Sequence, residues 1–169
     1  MEILKLGAAA FVLFLIVAQA FRIDKSNPAV ESDVSAPPQV KEVMRRSCYS
    51  CHSNEVVWPW YADVAPASWL VAYDVHQGRA ELNFSLWGTY SLAKRQKKLK
   101  EIEQTIAEGE MPPWYYVYPR HMEARLSAAD RATFLGWISS ESAALKQQAS
   151  QRPDPVAWYR GRSACSNRL

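Results

Sequence analysis

Cys48-Tyr49-Ser50-Cys51-His52 is a Cys-x-x-Cys-His pentapeptide, and that spacing is the attachment signature of a c-type haem. Two thiols on a single helical turn reach one edge of a porphyrin and add across its two vinyl groups, leaving thioether bonds. The imidazole that follows then lies under the iron as its proximal ligand. The expected cofactor is therefore one covalent haem c, held by Cys48 and Cys51, with His52 on the metal. Other readings of the pair need partners that the chain lacks. Structural zinc wants four Cys/His ligands in spaced pairs, whereas the remaining cysteine is Cys165, near the C-terminus. A thioredoxin-like pair needs a βαβ setting, and the flanks are not strand-rich. A disulfide across two intervening residues is strained.

Upstream, Leu6 to Ala18 is uncharged and almost wholly apolar, behind a leader whose one basic residue is Lys5. Its length suits the core of a signal peptide and is short for a membrane span. Ala18-Gln19-Ala20 offers a cleavage site, while Phe21, Ile23, Arg22 and Lys25 continue an apolar and cationic boundary. Residues 1–23 are thus expected as an uncleaved signal anchor, or as a signal peptide in the competing reading. Either exports the following domain. Thioether haem attachment takes place outside the bacterial cytoplasmic membrane, so motif and leader agree on the inner membrane with the haem domain in the periplasm. A net charge of +3 lacks the concentrated basic face that nucleic acid requires. Nothing in the residues sets an oligomeric state.

Residues 24–36 are rich in Ser, Asn and Pro and read as a linker; the domain is expected over 37–144 and a flexible tail over 145–169. The fold class is all-α, a helical domain with no hairpin signal. Pro37-Pro38 opens a first helix with Val40, Val43, Met44 and Ser47 at helical spacing and the pentapeptide at its end. Trp58-Pro59-Trp60-Tyr61 is an aromatic loop. Pro66 starts a second helix with Trp69, Leu70 and Tyr73 on one face, which Gly78 ends. A third runs from Ser91 to Glu108, striped by Leu92, Leu99, Ile102 and Ile106 and closed by Gly109. Met111-Pro112-Pro113 must be a loop, because proline cannot donate and the residue before it is forced extended. Ser127 and Asp130 form a capping-box variant for a last helix carrying Phe134, Leu135, Trp137 and Ile138.

An electron-transfer haem needs a second axial ligand. Met44 shares the proximal helix and is expected in the core. His121 and Met122 adjoin a helix cap, and His76 reads as a surface histidine near a helix end. Met111, 59 residues after His52 on a proline-stiffened loop, has the geometry of a distal ligand. Residue chemistry alone leaves it equally open as a filler of the core.

Several runs carry a family resemblance: Ser26-Asn27-Pro28, His52-Ser53-Asn54-Glu55, Trp58-Pro59-Trp60-Tyr61 and Ala65-Pro66-Ala67-Ser68-Trp69-Leu70. Asp74-Val75, Gly78-Arg79, Asn83-Phe84-Ser85, Gly109-Glu110-Met111-Pro112-Pro113 and His121-x-x-Ala124-x-Leu126-Ser127 continue it. In these the chain resembles the bacterial haem-binding domain family of small c-type cytochromes, over roughly residues 26–138. The resemblance implies a helical cytochrome c-like fold, His52 and Met111 as axial ligands, and an N-terminal helix kept as an anchor.

Trp58, Trp60 and Trp69 are candidate walls of a haem crevice, and Arg79 a candidate partner for a propionate. Lys94, Arg95, Lys97, Lys98 and Lys100 form either a docking patch for an acidic redox partner or the solvated face of the third helix. Asn83-Phe84-Ser85 also matches a glycosylation pattern, which occurs often by chance. The function expected is single-electron transfer between redox proteins, with no substrate transformed. The alternative is a haem-based sensor whose distal Met111 leaves. A dihaem peroxidase would need a second attachment motif.

Overall fold

The computed structural model describes residues 1–151, all helix, turn and loop, with no strand among them. The helices are α1 (Glu2–Ala18), α2 (Pro38–Ser47), α3 (Tyr49–His52), α4 (Ala67–Glu81), α5 (Leu92–Glu108), α6 (Trp114–Val117) and α7 (Ala128–Gln151). Tight 3₁₀ turns lie at Trp60–Asp63, Phe84–Thr89 and Met122–Ala124. Cys165 lies outside the described residues.

Local chemistry explains most boundaries. Pro38 sits in the first turn of α2, where its missing N–H is no loss. Ser91 caps α5 by accepting from Lys94 N at 3.2 Å. Gly109 ends it in the left-handed region at φ 76°, which a side chain would resist. At the start of α7 the capping box is reciprocal: Asp130 Oδ2 accepts from Ser127 N at 2.9 Å, and Ser127 Oγ accepts from Asp130 N at 3.1 Å. Arg46 then ties α2 to that box through Asp130 at 2.8 Å.

The core forms where α2, α5 and α7 meet over the Phe84–Thr89 turn. Met44, Phe84, Leu99, Phe134 and Ile138 are its most buried large side chains. Met44 is in the core, as expected. Packing continues past residue 144, since Leu145 is buried and α7 runs on to Gln151.

Four expectations change. The pentapeptide does not continue α2: the backbone breaks at Cys48 (φ −126°, ψ −39°), and Tyr49–His52 make a turn of their own. Gly78 does not end α4, which runs three residues further to Glu81. Trp69, Leu70 and Tyr73 share a face, but the exposed one; α4 buries Ser68, Ala72, Val75 and Gly78 instead. Small residues face inward because α4 lies directly on α3: a Cβ on Gly78 would fall 2.7 Å from the Cys51 carbonyl oxygen.

The fourth concerns residues 24–36, which are extended yet strapped to the domain. Glu31 N and Ser32 N donate to Ser85 O, and Val34 N donates to Phe84 O at 3.1 Å. Asn27 Nδ2 donates to Val56 O, and Val34 is buried. The strap leads back to α1, whose large apolar side chains are exposed. Among the described residues no helix is long and apolar enough to cross a membrane.

Candidate functional site

Cys48, Cys51, His52 and Met111 all line one cavity of about 500 Å³, within the roughly 300–1,000 Å³ usual for ligand and cofactor pockets. Its walls are mainly apolar: Phe84, Ile102, Ile106, Leu126, Phe134, Pro112 and Pro113. The α3 turn gathers three of the four groups. His52 N and Cys51 N both donate to Cys48 O, at 2.9 and 3.1 Å, so both thiols and the ring leave one turn of backbone.

His52 is the most constrained of the four. Its Nδ1 lies 2.9 Å from Gly78 O and 3.0 Å from Leu82 O, the carbonyls that end α4. Nδ1–H therefore donates, and the lone pair is left on Nε2, as metal-bound histidine requires. Burial holds the ring below its ordinary pKa, against the smaller opposing effect of those carbonyls. It is a neutral imidazole fixed in one tautomer. The Phe84 ring meets it edge-on at 6.5 Å and stacks on Tyr49 at 5.6 Å.

The thiols are neutral too. Burial pushes Cys48 up to about 12, helped by Cys51, and Cys51 up to about 11, helped by Asp74. A buried thiol with so high a pKa is a poor thiolate nucleophile and a poor redox sensor. Among the described residues no cluster of three or more His, Cys, Asp and Glu is arranged to hold a metal ion.

Met111 reaches the cavity from the loop between α5 and α6 and is 40% exposed. The loop is fixed at both ends: Glu110 N donates to Thr105 O at 3.0 Å, and Pro113 O accepts from Tyr116 N and Val117 N. The other candidate ligands lie elsewhere. His76 is exposed. His121 Nε2 is 2.6 Å from the Tyr61 hydroxyl, its ring stacked on Tyr116 at 4.4 Å. Met122 is half exposed and does not line the cavity.

The candidate walls and the candidate propionate partner have other tasks. Trp58, Trp60 and Trp69 do not line the cavity; Trp58 Nε1 is buried without a partner, and Trp69 Nε1 donates to Phe21 O. Arg79 spends its guanidinium on Ser53 O at 2.8 Å, Asn27 Oδ1 at 2.7 Å and Ser26 O at 3.3 Å. It clamps the strap to the end of α3. The cation that does line the cavity is Lys98, paired with Glu101 at 2.7 Å and Glu81 at 3.6 Å. Two neighbours of Lys98 in the basic run also have local tasks. Lys94 sits over the Tyr90 ring at 3.7 Å, and Arg95 Nε donates to Tyr90 O.

Residues that sequence reasoning missed include Asp74, Tyr115 and Tyr116 on the cavity wall. Burial raises the Asp74 carboxyl above its ordinary pKa, partly offset by a hydrogen bond from Tyr115. A helical stripe of Asp74, Gln77 and Glu81 was available as a signal, because α4 turns these toward the site at successive turns. Asn83 is buried and donates to Asn54 Oδ1 at 2.7 Å. The apparent glycosylation sequon is part of the polar network under the cavity.

The donor set fits a haem: two thiols on one turn, a neutral imidazole with Nε2 free, a thioether from another loop, and apolar walls between them. No curated protein and no solved structure matches the chain. A family model does, that of the haem-binding domain, over residues 13–140. The match takes in every residue that lines the cavity, and with most of the sequence covered, the chain belongs to the haem-binding domain family.

Proposed function

We propose that this haem-binding domain is a monohaem c-type cytochrome, facing the periplasm and carrying single electrons between redox proteins. The observation that carries the reading is the pinned His52 ring, whose free Nε2 belongs to the same cavity as both thiols and Met111. Cys48 and Cys51 would hold the porphyrin, His52 and Met111 the iron. Bound there, haem would supply one-electron ferric–ferrous chemistry; thioether ligation favours the ferrous state relative to a second histidine. The apolar walls exclude water, and Lys98 is the cavity-lining cation that could exchange its Glu101 and Glu81 contacts for a propionate. No substrate is transformed. Retention of the N-terminal helix as an inner-membrane anchor is supported by Gln19: cleavage after Ala20 would remove a side chain that hydrogen-bonds Ala65 twice.

One observation favours a second reading, a sensor or small-ligand module. Met111 sits at the rim and is 40% exposed, so it can leave without unpacking the core. The absorption spectrum of the ferrous, haem-loaded protein before and after carbon monoxide separates the two. A six-coordinate spectrum indifferent to the gas is expected. A shift on adding carbon monoxide would put the sensor first.

A further inference from the structure

The short apolar helix α1 is joined to the domain without slack. Its 17 residues reach about 26 Å at 1.5 Å per residue, less than the roughly 30 Å hydrocarbon layer of a bilayer. Ala18, its last residue, is already buried against the domain. The next side chain, Gln19, donates to Ala65 O at 3.1 Å and accepts from Ala65 N at 3.0 Å. Two residues on, Phe21 O accepts from Trp69 Nε1 at 3.1 Å, and Lys25 pairs with Asp63. The helix end is therefore bolted to the segment that opens α4.

An apolar helix bolted at its end, with no free linker between, holds whatever it is bolted to beside the headgroup layer. The residues beside the bolt suit that layer. Phe21, Leu70 and Tyr73 are 66%, 56% and 61% exposed, and Trp69 is 36% exposed. Positions 69, 70 and 73 share one face of α4, the helix that turns its small residues inward. Trp and Tyr are the residues that populate membrane interfaces, and the exposed Arg22 adds a cation for phosphate groups.

We propose that the domain rests on the bilayer surface through Phe21, Trp69, Leu70 and Tyr73, fixed in orientation by the Gln19–Ala65 bolt. The proposal deepens the anchor reading above and rests on it. Tyr73 also lines the haem cavity, so the cavity wall adjoins the lipid face.

The test uses the full-length, haem-loaded chain in the ferric state, with every saturation curve read against a nitrogen blank, reconstituted into vesicles of mixed zwitterionic and anionic phospholipid. A nitroxide is placed at Leu70→Cys in a Cys165→Ser background, with a control at Gln104→Cys on the exposed side of α5. Power saturation then compares molecular oxygen, which concentrates in lipid, with a water-soluble nickel chelate. Docking predicts that position 70 favours oxygen over nickel several-fold more than position 104 does. Equal, water-like profiles at both, on a chain that survives an alkaline carbonate wash, overturn the docking and leave the anchor standing. A chain that the wash removes overturns the anchor, and the docking with it.

Discussion

On the His52 side of the cavity, the hydrogen bonds to the ring are all to backbone. Two carbonyls at the end of α4 hold the ring, and Gly78 lets that helix lie within contact distance of Cys51. On the Met111 side, a loop between two helices presents one flexible thioether at a partly exposed rim. Backbone contact cannot shift by tenths of an ångström without moving a helix, whereas a methionine side chain adapts by rotating. In the proposed reading, attachment and proximal ligation are built as a rigid unit, while the sixth position is left adjustable.

The largest expected effect breaks the rigid side outright. Cys48→Ser together with Cys51→Ser should abolish covalent haem, seen as loss of the haem mass adduct by mass spectrometry of the denatured protein. Persistent covalent haem would end the attachment reading. Next is Gly78→Ala, which sets a methyl group 2.7 Å from a backbone oxygen. Overpacking of this kind costs typically 1–3 kcal/mol, so the urea midpoint should fall and haem loading with it. An unchanged midpoint would mean that α4 is free to yield.

Met111→Ala sharpens the contrast, since truncating a half-exposed side chain should move the urea midpoint much less than Gly78→Ala does. Yet it should open the iron to carbon monoxide and lower the reduction potential, by some fraction of the ~0.8 V range that haem axial ligands span. Wild-type spectra and potential in that variant would remove Met111 from the metal.

The smallest effect is a pH dependence on the cavity wall. Burial raises the Asp74 carboxyl in the folded state above its ordinary 3.8, so the folded protein holds that proton to higher pH than the unfolded chain does. In that window the native state binds more protons, and stability falls as pH rises. The contribution is complete below the ordinary value and is lost as pH climbs through the folded one. Asp74→Asn should flatten this part of a urea-midpoint profile; a profile identical to wild type would show Asp74 to be solvated.

How much of this was legible in the sequence follows the same divide between local and distant contacts. The Cys48–His52 turn, the Ser91 and Gly109 boundaries of α5 and the Ser127–Asp130 box each depend on residues a few positions apart, and each was readable. The buried face of α4 was not, because its large apolar residues point the wrong way for a helix packed on a core. What decides the matter is the approach of Gly78 to Cys51, 27 residues away, which no helical period encodes. The aromatic content announced a walled pocket without saying which rings form it. Phe84 and Phe134 reach the cavity because a 3₁₀ turn and α7 converge there, and Trp58, Trp60 and Trp69 belong to other surfaces. Arg79 read as a charge for a ligand, and three of its five N–H donors were already engaged by the chain itself.

Arg79 also sets how the molecule opens. One guanidinium joins the end of the α3 turn to Ser26 and Asn27 of the strap, and elements that share a clamp tend to open as one cooperative unit. Haem bonded to the turn, as proposed, would restrain that unit, and the restraint would pass through Arg79 to the strap. The amides of Glu31, Ser32 and Val34, bonded to Ser85 and Phe84 carbonyls, should then exchange hydrogen for deuterium more slowly once haem is attached. A stretch of chain that never touches the cavity becomes a clock for its occupancy.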